Sequence, residues 1–179
     1  MQVWGLTDPG CVRKQNQDAY QIEQLDKNSV LCVVCDGMGG AKSGNIASTL
    51  AIDVFVQEIR RNWRSNLTQE KIDAMLTNAV KLANFTVFDQ AQQFMEFDGM
   101  GTTLVAALVL SHEVYVINVG DSRCYILSEG RLTQITSDHS LVQALVDCGD
   151  ITPEEARTHP KKNVITRALG VDNNIRSDV

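Results

Sequence analysis

Hydrophobic positions along this chain follow two periods, and the changes between them mark its elements. Residues 29 to 35 are almost continuously apolar, Val30-Leu31-Cys32-Val33-Val34-Cys35, which predicts a strand buried on both faces that stops at Asp36. Shorter strands are predicted over 2–8 and 19–23, separated by the turn Asp8-Pro9-Gly10 and the polar run Arg13-Lys14-Gln15-Asn16-Gln17-Asp18. Asp26-Lys27-Asn28 turns the chain between 19–23 and 29–35, so those strands form a hairpin that carries Asp18 and Asp36 to one end. The period then becomes helical. Ile46, Leu50, Ala51, Val54, Phe55 and Ile59 predict a helix over 44–61. Thr68 opens a second helix running to about 94, with Ile72, Met75, Leu76, Ala79, Ala83, Val87 and Ala91 inward. Both helices read as cover for a sheet.

Strand character returns at 104–110, 114–119, 124–127 and 131–135, joined through Ser111-His112-Glu113, Gly120-Asp121-Ser122-Arg123 and Ser128-Glu129-Gly130 as an antiparallel meander. Asp138 is the expected N-cap of a short helix that Gly149 stops, and Thr152-Pro153-Glu154-Glu155 is a capping box with proline in the first turn. The 179 residues are 44% hydrophobic and 21% charged, which suits one globular domain. A formal net charge of −6 argues against a nucleic-acid or anionic-membrane partner, so an anion-handling site here must concentrate positive charge locally. The N-terminal residues lack the basic start and apolar core of a signal peptide, no stretch is long enough to span a membrane, and five cysteines fit reduced thiols; a cytoplasmic protein is expected. Cys32 and Cys35, three apart on a strand, point to opposite faces and suit packing better than a shared metal.

A carboxylate at the mouth of an apolar strand needs compensation. Asp36-Gly37-Met38-Gly39-Gly40 either caps backbone N–H groups at a strand-to-helix turn or holds Mg2+ or Mn2+ with main-chain carbonyls that the glycines leave accessible. Asp18 beside Asp36 favours the cation, because two carboxylates repel unless one lies between them. Arg13 suits either an ion pair with these acids or a bidentate fork on a phosphate. Asp121, beside Gly120 at another strand break, is either a turn residue paired with Arg123 or a further ligand.

Taken in order, Arg13-x-x-Asn16-x-Asp18, Asp36-Gly37-x-Gly39-Gly40, Gly101-Thr102-Thr103, Gly120-Asp121-Ser122-Arg123 and Asp138-His139-Ser140 closely resemble the metal-dependent serine/threonine protein phosphatases of the type 2C (PPM) family, bacterial branch. The resemblance implies an α+β fold, a sandwich of two antiparallel β-sheets flanked by helices, here lacking the C-terminal strands of a single catalytic domain over 1–179. It implies a flap over about 147–168. It also implies two core Mn2+ or Mg2+ ions bridged by Asp36, with Gly37 giving a carbonyl and Asp18 binding directly or through water. A third, weaker ion would sit at Asp121, and Arg13 would hold the phosphate. Thr102, Thr103 and Asp138 would be supports. The implied reaction is attack of a metal-activated hydroxide on phosphoserine or phosphothreonine, with phosphorylated proteins, including a cognate kinase, as partners. Met38 stands where some members carry a histidine, and the family's later Asp-Gly and Asp-Asn ligands are not reached. Asp172-Asn173 follows the flap directly and reads as a turn. The competing reading is a metal-poor pseudophosphatase that docks a phosphoprotein or kinase. A nucleotide cradle is disfavoured because Lys42 occupies the place a G-x-G-x-x-G turn gives to glycine.

Overall fold

The computed structural model describes residues 1–12 and 15–179. Its centre is an antiparallel sheet in the order β1 (Asp18–Asp26), β2 (Ser29–Met38), β4 (Leu104–Val109), β5 (Val114–Val119), with β3 (Gly101–Thr102) pairing the end of β2. The long helices α1 (Gly40–Asn62) and α2 (Gln69–Gln93) pack on one face. That face buries Leu31, Val33 and Cys35 of β2, Leu104, Ala106 and Leu108 of β4, and Ile117 and Val119 of β5 against Phe55, Ile59, Leu76 and Val80. The whole inward face expected for α2 is buried.

Two expectations fail here for the same reason. β2 is not covered on both sides: its outer face carries Val34, 44% exposed, beside Tyr20 and Ile22 of β1 at 41% and 37%. Residues 2–8 form no strand; they run along this outer side, where Trp4 to Asp8 and Tyr20, Ile22 and Val34 line a cavity of about 370 Å³. Apolar content alone does not report which side of a strand is packed. Nor does β2 stop at Asp36, because its ladder continues through Gly37 and Met38 on β3. Cys32 and Cys35 do face opposite ways. Cys35 is fully buried under the helices, and burial pushes its thiol far above its ordinary range.

β6 (Tyr125–Ser128) and β7 (Arg131–Gln134) make a separate two-stranded hairpin instead of extending a continuous meander. The α+β reading with two antiparallel sheets and covering helices therefore stands. α1 starts four residues before the expected helix and turns Ile46 outward, the buried stripe running through Ala47, Ala51, Phe55 and Ile59. Ser140, not Asp138, caps α3 (Leu141–Asp147), its hydroxyl accepting the Gln143 N–H at 3.2 Å. Gly149 follows that helix at φ 77°, as the stop requires. The capping box of α4 (Pro153–Thr158) forms with both of its bonds, between Thr152 and Glu155.

At the far end of the sheet Asp26 joins the β1–β2 turn to the end of α1. Its Oδ1 accepts the Asn28 N–H at 2.9 Å and its Oδ2 the Trp63 indole N–H at 2.9 Å. These bonds, the backbone one foremost, hold the Asp26 carboxyl below its ordinary value. A depressed folded pKa contributes stability above the unfolded pKa and loses it as pH falls through the folded one. The Trp63 indole N–H resonance should therefore keep its position from neutral pH down through the ordinary carboxylate range and move only in stronger acid. In Asp26→Asn it should be insensitive to that titration; a wild-type shift centred at or above the ordinary Asp value would contradict the assignment.

Candidate active site

The hairpin register places Asp18 directly opposite Asp36. Paired residues on antiparallel strands share a face, so both carboxylates stand on the open side of the sheet, away from the helices. Asp36 is held by its main chain. Its N–H donates to Thr103 Oγ1 at 2.9 Å, and its carbonyl accepts from Thr103 N at 3.0 Å and Thr102 Oγ1 at 3.0 Å. Both threonines are buried, and Thr103 occupies the break between β3 and β4, where a hydroxyl substitutes for the carbonyl a regular ladder would offer. The supporting role expected of Thr102 and Thr103 is thus visible as three bonds to one peptide.

Gly37 is locked from the other side. Its N–H donates to the Gln17 carbonyl at 3.1 Å. A Cβ on Gly37 would lie 2.5 Å from the Gly44 carbonyl carbon and 2.8 Å from the Gln17 oxygen. The end of β2, the residue before β1 and the first turn of α1 therefore meet backbone to backbone, a contact only glycine allows.

Asp121 lies elsewhere. It lines a groove of about 680 Å³ together with Arg123, Gln134, Asp138, Ser140, Val142, Gln143 and Val146 and with Pro153, Ala156, Arg157, Lys162 and Asn163 from later in the chain. Thr103 links this groove to the acidic pair: its Oγ1 is 2.7 Å from Ser122 Oγ, and its methyl lies against Gly120, which has φ 111°. Arg123 does not pair with Asp121. Its Nε donates to Asp138 Oδ1 at 2.8 Å and its Nη2 to Oδ2 at 2.6 Å, a bidentate fork that raises the guanidinium pKa further and occupies the Asp138 carboxylate. Arg13 lies outside the described residues. At Asp172-Asn173 the chain bends: Asp172 Oδ1 accepts the Asn174 N–H at 2.9 Å, and Asn84 Nδ2 donates to the Asp172 carbonyl at 2.8 Å.

Oxygen donors of this type, two opposed carboxylates beside a glycine peptide with no room for a Cβ, fit a hard divalent cation. Among the described residues no group of three or more His, Cys, Asp or Glu is gathered to hold a metal; the acids that stand together are the pair Asp18 and Asp36. Two residues to which the sequence pattern gave no role matter here. Asn84, on the inner face of α2 and 1% exposed, also accepts the Gly170 N–H at 2.9 Å and so fixes the turn after the 164–169 segment. His139 is buried at 6% exposure against Gly120. Only the Asp138-His139-Ser140 motif pointed to His139, and nothing local pointed to Asn84.

The family model for protein phosphatase 2C matches residues 12–164. This chain belongs to the protein phosphatase 2C family. It is 38% identical over 172 residues to the serine/threonine phosphatase stp of Listeria welshimeri, covering 96% of this chain and 68% of that protein. It is 39% identical over 163 residues to the serine/threonine protein phosphatase PstP of Mycobacterium tuberculosis, covering 91% of this chain but 30% of that longer protein. Among solved structures, phosphatase Stp1 from Staphylococcus aureus superposes with a TM-score of 0.89 at 43% identity, covering 97% of this chain and 67% of that one. The catalytic domain of PstP in complex with two manganese ions gives 0.75 at 35% identity, covering 96% and 68%. The type 2C fold and its α+β class are thereby established for this chain, and with them a phosphatase enzyme of the metal-dependent kind.

Proposed function

We propose that this chain hydrolyses phosphoserine and phosphothreonine in proteins at a site centred on Asp36, with Asp18, Gly37 and Asp121 as further metal-binding residues. The observation that carries the reading is the in-register opposition of Asp18 and Asp36 on the open side of the sheet, beside the Gly37–Gly44 contact. When bound, a Mn2+ or Mg2+ pair supplies an acidified water as nucleophile and takes up charge that develops on the phosphoryl oxygens. The rest is work for the chain. Asp36 would hold the pair, and its main chain, gripped by Thr102 and Thr103, fixes where that carboxylate starts. Asp18 approaches from the neighbouring strand. The Gly37 carbonyl adds a neutral oxygen donor. Arg13 forks onto the substrate phosphate and orients it for in-line attack.

Asp121 takes a third ion, with residues 147–168 as a flap beside it; Pro153, Ala156, Arg157, Lys162 and Asn163 of that segment line the same groove as Asp121. The substrates are phosphorylated proteins, a cognate kinase among them, and the compartment is the cytoplasm; no described helix is long and apolar enough to cross a membrane. Nothing in the comparisons favours a metal-poor docking module. The test is phosphate release from a phosphothreonine peptide by the intact enzyme. Release should fall to background after EDTA treatment and dialysis and return on adding Mn2+; hydrolysis that survives chelation would overturn the reading.

A further inference from the structure

We propose that His139 is a positioning residue for Asp121, an inference that rests on the reading of Asp121 as a metal ligand. The imidazole is buried, and Gly120 meets His139 twice: the Gly120 N–H donates to the ring Nδ1 at 3.0 Å, and the Gly120 carbonyl accepts the backbone N–H of His139 at 2.9 Å. An amide hydrogen aimed at Nδ1 requires a lone pair there, so the ring proton sits on Nε2. Nε2–H then donates to Asp178 Oδ2 at 3.0 Å, and Arg167, 3.1 Å from Nε2, is satisfied by Asp178 Oδ1 at 2.9 Å. The contact between His139 and Asp178 is accordingly a hydrogen bond donated by the ring Nε2–H to the carboxylate.

The consequence falls on the peptide before Asp121. Gly120 is at φ 111°, with Thr103 packed where a Cβ would be, so it has no internal preference that would hold this bend. His139 supplies that preference through both of its bonds. Thr103 grips Asp36 on one side and abuts Gly120 on the other, so the same contact chain sets the Asp121 groove relative to the Asp18–Asp36 pair. Asp178 and Arg167 hold the tautomer that leaves Nδ1 open to accept.

Two variants separate this role from a merely structural one. In His139→Asn the amide oxygen reaches only as far as Nδ1 and can still accept from Gly120. In His139→Gln the amide reaches the position of Nε2, keeping Asp178 and losing Gly120. Mn2+ titration of the intact enzyme by calorimetry should show the weakest ion loosened about tenfold in His139→Gln and held within about twofold of wild type in His139→Asn, the scale for groups that orient a ligand. The tighter ions should be unchanged in both. The Gly120 amide proton should lose its downfield shift only in His139→Gln. Equal binding by the two variants, or the opposite order, overturns the inference. If His139→Gln fails to fold, the 15N resonances of the wild-type ring decide: a protonated Nδ1 rejects the inference, and a bare Nδ1 coupled to the Gly120 amide upholds it. Unchanged stoichiometry in Asp121→Asn would reject Asp121 as a ligand, and the role of His139 with it.

Discussion

Asp36→Asn is expected to reduce phosphopeptide hydrolysis by roughly a thousandfold, a loss of about 4 kcal/mol of transition-state stabilisation. The amide is nearly isosteric, so it keeps the strand and the three bonds that Thr102 and Thr103 make to the Asp36 peptide, none of which involves the side chain. What it removes is one negative charge at the point where β1 and β2 present their acids to each other. The ions that share this carboxylate lose a ligand oxygen with full charge, while Asp18 can still bind one of them weakly. Circular dichroism should be unchanged. The rise in melting temperature that Mn2+ gives the wild-type enzyme, a direct consequence of binding to the folded state, should disappear. Turnover within about tenfold of wild type, a gap of only about 1.4 kcal/mol, would show that Asp36 does not bridge the ions.

The part of this site that was legible in the sequence is the part set by local pairing. A turn at Asp26-Lys27-Asn28 between two strands leaves little choice of register, so Asp18 and Asp36 had to meet, even though the bulge between Gln24 and Asp26 absorbs one residue. The helix faces were legible for the same kind of reason, since the 3.6 period is a local property. The misreadings all involve partners distant in the chain. Asp138 is a good N-cap by type, but Arg123, fifteen residues earlier, claims both of its oxygens and leaves the cap to Ser140. Residues 2–8 have strand composition, yet they pass along the outer side of the sheet without joining a ladder. No local pattern marks Asn84, yet it is buried and spent on Gly170, Asp172 and Asn173. Side-chain bonds to remote backbone leave no periodic trace in the sequence.

α1 is the instructive intermediate case. Its apolar stripe was readable from Leu50 onward, but its start was not, because Gly40 and Gly44 are poor helix formers. The first turn is helical there because α1 must approach β2 closely enough for the Gly44 peptide to touch Gly37. Fold and site are therefore joined at one contact: the glycines that weaken the helix are the ones that let it dock behind the acidic pair.

That contact gives the second large expectation. Gly37→Ala should destabilise the enzyme by about 3 kcal/mol, the upper range for forcing an added carbon into a packed interior, because the atoms it meets are main chain and cannot rotate away. The new methyl would lie 2.5 Å from the Gly44 carbonyl carbon and 2.8 Å from the Gln17 oxygen, so either α1 or the segment before Asp18 has to retreat. Either movement shifts the acids relative to each other, and a displacement of about 1 Å is enough to cost roughly a hundredfold in rate. Gly130→Ala, in the β6–β7 turn, is the matched control: its φ of 76° imposes a left-handed strain of only about 1–2 kcal/mol, with nothing within 4 Å to obstruct the methyl. Urea unfolding of both variants beside Mn2+-dependent turnover separates the effects. Gly130→Ala should lose some stability and keep its rate at saturating Mn2+, whereas Gly37→Ala should lose both. If Gly37→Ala retained wild-type turnover at a lowered urea midpoint, the close approach of α1 would serve the fold alone and would not set the spacing of Asp18 and Asp36.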